Sequence, residues 1–415
     1  MIAGEAVGVR GQGTTVEQLS DLWPGPLHSK ENVDENCMEC KVAKGSRPLR
    51  ASSGGFLTAG CYRRACWHVR LATRLINGMI MDNISLLREA RSVFAQGGNL
   101  SHHFRNHHLS EADQLKVIEY AYDLQSGSYT HAVTTDTHVR ANKQQWGARL
   151  AGLLTAYGIQ SAIEAGVGEA STLRYIASAS PPSMQFAGFD ISLSRLCFAR
   201  QFLNSTTRHT LTEYLGTGSG SRSNKFKSAA SRANLFTGDL GAIPVIDNAY
   251  DAVLSNHSLE SNGGREREIL SEMLRVTRRY LILVEPDYEH ASDEQKKRMD
   301  SFGYVRGLRS HLARLGARVL LAEPWDLNLN PLNAASLIIA EKHQTSHWNE
   351  SVDLPLASPF SREPLQCRAG YFYASDDGMA FPVIDGFPCL LREQGVVATH
   401  LTAHTPVEVP VKQAA

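Results

Sequence analysis

The sequence predicts an α/β fold built around a parallel sheet. Apolar runs that each end in polar residues lie at 161–164, 186–190, 235–239 and 250–256. Helix-length segments separate these runs, which is the pattern of β-strands joined by helical crossovers. Because the carboxyl ends of parallel strands meet at one edge of a sheet, the polar residues that close the runs should lie together there.

A loop with two closely spaced glycines, Glu164-Ala-Gly-Val-Gly168, joins the first predicted strand to a helix. Gly166 and Gly168 allow a sharp backbone turn and a close approach to a ligand, because neither carries a Cβ atom. The helix that follows presents free N–H groups at its start. The loop is therefore typical of a site for a nucleotide-containing cofactor.

This acid-x-Gly-x-Gly loop resembles the cofactor loop of the class I S-adenosylmethionine-dependent methyltransferases, and the resemblance covers residues 150 to 343. It implies a Rossmann-like methyltransferase core at residues 151–343, with S-adenosylmethionine as the cofactor. The residues that it implies in cofactor binding lie in the loop and at the strand ends: Glu164, Gly166, Gly168, Asp190, Asp239, Leu240 and Asn256.

In this resemblance the two glycines lie beneath the methionine part of the cofactor. Asp190 accepts hydrogen bonds from the ribose hydroxyls, Asp239 faces the adenine amino group, and Leu240 lies beside the adenine ring. The chemistry agrees, because a cofactor with a cationic sulfonium and no phosphate requires carboxylates. The same carboxylates would repel a pyrophosphate.

An NAD(P)-dependent oxidoreductase is the main alternative. Its glycine fingerprint needs a third glycine for close helix packing, and Ser171 holds that position. Asp190 could bind the ribose of either cofactor, whereas Glu164 and Asp239 favour the methyltransferase.

Asn256 and His257 follow the fourth predicted strand, in the loop that faces the methyl acceptor in the resembling family. By the resemblance, Asn256 lies near the transferred methyl group. A neutral His257 could take a proton from an acceptor hydroxyl or amine, since its ordinary pKa lies near neutrality. Methyl transfer is an in-line displacement on an activated carbon, so positioning alone could also suffice. His257 is thus the catalytic candidate, and local packing is its alternative role.

Residues 79–150 are predicted to form a helical cap, with helices from Ile84 to about Ala95 and from Ser110 to Leu124. Tyr129 belongs to an aromatic segment that follows the second helix. In the resembling family such a segment covers the cofactor, and an aromatic face attracts a cation such as a sulfonium. The alternative is that the tyrosines only dock the cap onto the core.

Four histidines lie between the two predicted cap helices: His102, His103, His107 and His108. A histidine cluster suggests a metal, but neither a carboxylate nor a cysteine completes a ligand set in this connection. The sequence therefore favours solvated histidines and no metal site here.

Residues 1–78 show no sustained helical or strand period and are predicted to be a disordered extension. They contain two cysteine pairs, Cys37 with Cys40 and Cys61 with Cys66, whose spacing is compatible with zinc. The second pair lacks a strand-turn pattern around it, so a zinc site stays an alternative. A flexible insertion is predicted at residues 206–232, and a tail at 399–415.

Residues 351–398 are rich in prolines, aromatics and short strands. The run 381–391 resembles the closing hairpin of the small zinc-ribbon family that includes activator subunits of tRNA methyltransferases. Ser358 and Ser361 hold the positions of the family's knuckle cysteines, and serine binds zinc poorly. The resemblance therefore implies a degenerate, metal-free ribbon-like domain that serves packing or docking.

Composition limits the function further. The 415 residues carry 42 basic and 42 acidic side chains, so the formal net charge is zero and gives no global attraction for nucleic acid. No apolar stretch reaches the length of a membrane span, and seven cysteines suit a reducing compartment, so a cytoplasmic protein is predicted.

Together these features predict a methyltransferase for a small molecule or a sugar-derived metabolite. A tRNA or protein acceptor is the alternative that the ribbon-like domain suggests. A non-catalytic partner of another methyltransferase is a third possibility, although the intact cofactor loop argues against it.

Overall fold

The computed structural model describes residues 83–104, 107, 109–205, 233–343 and 355–401. The predicted extension with its cysteine pairs, the predicted insertion at 206–232 and residues 402–415 of the predicted tail lie outside the described residues. The chain divides into two compact units, Met1–Ser110 and Glu111–Ala415. The boundary between the two units falls inside the cap predicted at 79–150. That these residues form one domain stays a prediction.

The described part of the first unit contains two helices, α1 (Asn83–Ala95) and α2 (Leu100–Phe104). Helix α1 was predicted from its apolar stripe, and its Leu86 and Ala90 are buried. Helix α2 was predicted as an irregular connection, because its histidines and serine give no apolar period. Its two apolar ends, Leu100 and Phe104, are nevertheless buried.

The second unit begins with three helices, α3 (Glu111–Leu124), α4 (Ser128–Thr135) and α5 (Thr137–Ala156). The Asp136 side chain caps α5 by accepting hydrogen bonds from the N–H groups of His138 and Val139. Helix α5 buries Trp146, Leu150 and Leu154, which lie on one helical face.

A seven-stranded sheet follows. Its strands are β1 (Ser161–Ala165), β2 (Gln185–Asp190), β3 (Ala233–Thr237), β4 (Tyr250–Asn256), β5 (Thr277–Pro286), β6 (Arg318–Pro324) and β7 (Ala335–Glu341). The connecting helices are α6 (Leu173–Ala179), α7 (Leu193–Asn204), α8 (Glu266–Val276), α9 (Asp293–Phe302) and α10 (Leu308–Arg314).

The strand order is β3-β2-β1-β4-β5-β7-β6. Strands β1 to β5 run parallel, and β7 pairs antiparallel with both β5 and β6. The order 3-2-1-4-5 is that of a doubly wound Rossmann sheet, whose binding crevice lies at the carboxyl ends of β1 and β4, where the strand order reverses. The predicted Rossmann-like core is confirmed. Strand β6 was not predicted, although it contains the short apolar run 319–322; this outer strand is only partly buried.

Successive residues of the central strands pack on opposite faces of the sheet. Ile163 and Val253 belong to one buried cluster, whereas Ala162 and Ala252 belong to the other. Both clusters are apolar because helices cover both faces of a parallel sheet.

The C-terminal residues form a second, antiparallel sheet, with strands β8 (Gln366–Arg368), β9 (Tyr371–Ala374), β10 (Met379–Ile384), β11 (Phe387–Pro388) and β12 (Val396–Val397). The predicted β-rich C-terminal region is confirmed. Phe372, Phe381 and Leu390 of this region belong to the buried apolar cluster that covers one face of the large sheet. Cys389 also bridges to Thr237 in parallel, so the chain continues the large sheet beyond its edge strand β3.

No helix in the described part of the chain combines the length and the apolar content that crossing a bilayer requires.

Candidate functional site

The loop after β1 has the tight geometry that its glycines predicted. Gly166 has a φ of 67° and Gly168 a φ of 54°, both in the left-handed region that favours glycine. A Cβ atom on Gly166 would lie 2.4 Å from the Cβ atom of Ser258, which is closer than two carbons can approach. The loop therefore runs directly beside the segment that follows β4.

Asp190, at the end of β2, holds this loop in place. Its Oδ2 accepts a hydrogen bond from the Gly168 N–H at 2.8 Å, and its Oδ1 accepts one from the Ser192 N–H at 2.9 Å. The carboxyl is buried, and burial raises its pKa above the ordinary value. Each oxygen retains a second lone pair, so the group can still accept hydroxyl donors.

Glu164 lies on β1 with 3% of its surface exposed. Its Oε1 accepts a hydrogen bond from Asn256 Nδ2 at 2.7 Å, while its Oε2 is buried without a hydrogen-bond partner among the described residues. Burial raises the pKa of Glu164 to about 7. An acceptor atom left unpaired in a buried position is costly, so it indicates a place for a donor or cation from a ligand.

Asn256 links Glu164 to helix α5. Its Oδ1 accepts a hydrogen bond from Trp146 Nε1 at 3.2 Å. Lys143 lies one helical turn earlier, with its ammonium 4.6 Å from the Trp146 ring centre and 3.2 Å from Thr172 Oγ1. Burial lowers the pKa of Lys143 to about 8.

Asp239 lies two residues beyond β3, since that strand ends at Thr237. One Asp239 oxygen is 3.4 Å from an Arg265 nitrogen, and burial raises the pKa of the carboxyl. A cavity opens beside Asp239, lined by Leu115, Ile191, Ala242, Pro359, Leu390, Leu391, Arg392 and Glu393. Leu240 is partly buried against the core cluster. Residues 359–393 therefore supply one wall of the cavity next to the predicted adenine residue.

Tyr129 lies near the loop, but its ring faces a cation of the protein itself. The Arg195 guanidinium lies 4.9 Å from the Tyr129 ring centre and 4.7 Å from that of Tyr122. Arg195 Nη2 is buried without a hydrogen-bond partner in the described structure. The tyrosines thus hold Arg195 beside the glycine loop, and contact of Tyr129 with a cofactor stays a prediction.

His257 has a φ of 55°, and both of its ring nitrogens face oxygen acceptors. Nδ1 lies 2.5 Å from Glu260 Oε1, and Nε2 lies 3.3 Å from Asn328 Oδ1. Burial lowers the pKa of His257, but the hydrogen bond and charge of Glu260 outweigh it and give a net rise. This arrangement favours a protonated ring that positions groups, and the role of His257 as a base stays a prediction.

Glu285, at the end of β5, fixes the segment around His257. Its carboxylate accepts hydrogen bonds from the Ser255 hydroxyl and from the N–H groups of Ser258 and Leu259. The group is fully buried, and burial raises its pKa to about 7. Glu285 therefore positions His257 indirectly, because it fixes the backbone of Ser258 and Leu259.

Sequence reasoning missed Lys143, Trp146 and Arg195 as parts of the site. Each lies within a helix, where nothing in the local sequence separates it from an ordinary surface or packing residue. Only the sheet topology brings these helices to the carboxyl ends of the strands.

The fold is Rossmann-like, and its crevice contains the loop and acids described above. No protein-family model matches the sequence, and no curated protein matches it.

Solved structures similar to the chain include magnesium protoporphyrin IX methyltransferase from Synechocystis PCC 6803 with bound SAH. The identity is 16% and the TM-score 0.39, over 55% of this chain and 98% of that chain. Geranyl diphosphate C-methyltransferase from Streptomyces coelicolor A3(2) is 11% identical, with a TM-score of 0.34; the match covers 47% of this chain and 77% of that chain. The (4+2) cyclase SpnF is 16% identical, with a TM-score of 0.34; the match covers 47% of this chain and 80% of that chain. Such likeness concerns the fold alone, and one fold hosts many activities.

The two serines predicted at the knuckle of the C-terminal domain converge on one carboxylate. The hydroxyls of Ser358 and Ser361 both donate to Asp377 Oδ2, the second at 2.9 Å. Ser358 Oγ also accepts a hydrogen bond from the Phe360 N–H at 3.1 Å. Asp377 thereby ties the turn at 358–361 to the β9–β10 hairpin. The ribbon resemblance itself stays a prediction.

We expect Asp377→Ala to lower the free energy of unfolding by about 1–3 kcal/mol, because two hydroxyl donors lose a charged acceptor and one of them is buried. Urea unfolding followed by tryptophan fluorescence would measure the loss, and added Zn²⁺ should not restore it. The control Asp376→Ala removes a neighbouring exposed carboxylate and should change the value by less than about 0.5 kcal/mol. Equal stability of the two variants would contradict the role of Asp377.

Proposed function

We propose that the chain is an S-adenosylmethionine-dependent methyltransferase. The observation that carries this proposal is the unpaired, buried Oε2 of Glu164, at the base of a glycine loop whose backbone is fixed by Asp190. A buried carboxylate suits a cationic ligand and opposes a phosphate. This favours S-adenosylmethionine over a dinucleotide.

The residues present fit the parts of this cofactor. Glu164 would accept from the amino group, and Arg195 would bind the carboxylate of the methionine part through its unpaired Nη2. Asp190 would accept from the ribose hydroxyls, and Asp239 would face the adenine. The bound cofactor supplies an activated methyl carbon.

We infer that the methyl acceptor is a small molecule. The polar groups around Asn256 lie within the crevice: the His257 side chain is 21% exposed and that of Glu260 15%. A small acceptor can enter between such groups, whereas a macromolecule would have to extend or flip out its reactive group to reach them. His257 and Glu260 would then orient an acceptor hydroxyl or amine towards the methyl carbon. A tRNA or protein acceptor stays the alternative.

Isothermal titration calorimetry of the full chain with S-adenosylmethionine and, separately, with NAD⁺ tests the proposal. We expect saturable binding of S-adenosylmethionine only. Binding of the dinucleotide alone would replace the assignment with an oxidoreductase. Binding of S-adenosylmethionine without turnover on any acceptor would instead favour the non-catalytic partner.

We expect Asp190→Ala to weaken S-adenosylmethionine binding by about 1.5–3 kcal/mol, the scale of hydrogen bonds to a charged group. Calorimetry measures this change. Asp251→Ala is a matched control, because Asp251 also accepts from two backbone N–H groups, those of Gln160 and Ser161, but at the opposite end of the strands. Equal affinity of Asp190→Ala and the unaltered protein would remove Asp190 from the ribose role.

We expect the affinity for S-adenosylmethionine to rise with pH through about 7 and then level off. The pKa of Glu164 is raised to about 7 without ligand, so below that pH the group is largely protonated and must lose its proton to bind a cation. Calorimetry in two buffers of different ionisation enthalpy would count the released proton. Glu164→Gln should lower the affinity for S-adenosylmethionine. It should also remove the part of the pH dependence of this affinity that the titration of Glu164 causes. An unchanged slope in this variant would exclude Glu164 as the group that titrates.

A further inference from the structure

Three side chains of the N-terminal unit converge from helix α1 and from the turn of chain around α2. The ligand atoms of Glu89, His103 and His107 all lie within 4.8 Å of one another. Glu89 Oε1 is 2.8 Å from His103 Nε2 and 4.0 Å from His107 Nε2. We propose that these residues bind a Zn²⁺ ion that fastens α2 to α1.

The donor set fits the metal. Imidazole nitrogens and a carboxylate oxygen are common zinc ligands, with bonds of about 2.0–2.2 Å, so neighbouring ligand atoms of a tetrahedral site lie about 3.3 Å apart. Small rotations about the side-chain bonds would bring the present atoms to that spacing. These rotations are open to the three side chains, which are 35–40% exposed. The fourth position would be left for water.

The backbone that carries the ligands is anchored by apolar side chains. Leu86 and Ala90 of α1 and Leu100 and Phe104 of α2 are all buried. The Phe104 ring centre lies 4.8 Å and 5.4 Å from the two histidine ring centres, which are themselves 5.3 Å apart. An ion could therefore be bound without refolding of the helices.

The carboxylate ligand comes from a part of the sequence that is distant from the histidines. The four histidines around α2 have no acid in their own segment, and Glu89 precedes His103 by 14 residues. The α1–α2 turn brings Glu89 back beside the histidines and supplies the carboxylate that the local sequence lacks, which gives a set of three ligands. A simple Glu89–His103 ion pair would not require His107, and this difference makes the proposal testable.

The test uses the full chain with Cys37, Cys40, Cys61 and Cys66 replaced by serine, which removes the two N-terminal cysteine pairs as competing ligands. Equilibrium dialysis against Zn²⁺, with the metal measured by mass spectrometry, should give one bound ion per chain. Glu89→Gln, His103→Gln and His107→Gln should each weaken Zn²⁺ binding by about a hundredfold. Loss of a residue that only hydrogen-bonds to a metal ligand already costs up to about a hundredfold in affinity, so loss of a ligand itself should cost at least as much. His102→Gln alters a neighbouring histidine outside the cluster and should bind like the parent.

A second measurement needs no substitution in the cluster. Zn²⁺ should protect His103 and His107 from modification by diethylpyrocarbonate, read by peptide mass spectrometry, while His102 stays reactive. Co²⁺ in place of zinc should give a visible spectrum without a thiolate band. Absence of saturable binding, equal binding by all variants, or equal reactivity of the three histidines with and without Zn²⁺ would overturn the proposal.

Discussion

A chain that lacks residues 344–415 is expected not to form a stable Rossmann-like core. Leu356, Phe372, Phe381 and Leu390 belong to the buried cluster on one face of the large sheet. Each contributes about 1.5–3 kcal/mol by burial, so their removal costs an amount comparable with the roughly 5–15 kcal/mol stability of a whole domain. The deletion also exposes the edge of β3, because Cys389 forms a parallel bridge to Thr237 there.

Soluble yield, size-exclusion chromatography and circular dichroism would measure this effect. The control chain lacks only residues 402–415 and therefore keeps every C-terminal contact described above; it should behave like the full protein. A soluble, cooperatively unfolding chain that ends at residue 343 would show that the C-terminal domain is an accessory and not part of the core.

Gly166→Val is expected to abolish measurable cofactor binding and to lower the free energy of unfolding by about 2–5 kcal/mol. A β-branched residue is strained at a φ of 67°, and the new Cβ atom would meet Ser258 at 2.4 Å. The loop must then move away from the segment that carries His257. Calorimetry and urea unfolding measure the two effects.

Gly152→Ala is the matched control for this substitution. Gly152 lies within α5, and a Cβ atom there meets nothing within 4 Å. Alanine should raise the free energy of unfolding by about 1 kcal/mol through its higher helix propensity, with cofactor affinity unchanged. If Gly166→Val bound the cofactor as well as Gly152→Ala does, the glycine loop would not be the cofactor loop.

The sequence alone determined the local elements of the site. The apolar runs predicted β1, β2 and β4 to within one or two residues, and the glycine spacing predicted a loop whose two glycines have positive φ angles. These features are local, since strand periodicity and the tolerance of glycine for positive φ depend on a few consecutive residues.

Only the tertiary structure decided which groups face each other. Glu164 and Asn256 are 92 residues apart, and their hydrogen bond depends on the pairing of β1 with β4. The stacking of Arg195 on Tyr122 and the union of Glu89 with His103 likewise depend on how helices pack. Such contacts arise from topology and from the burial of apolar faces. A local pattern therefore shows which side chains are available, and the fold selects which of them meet.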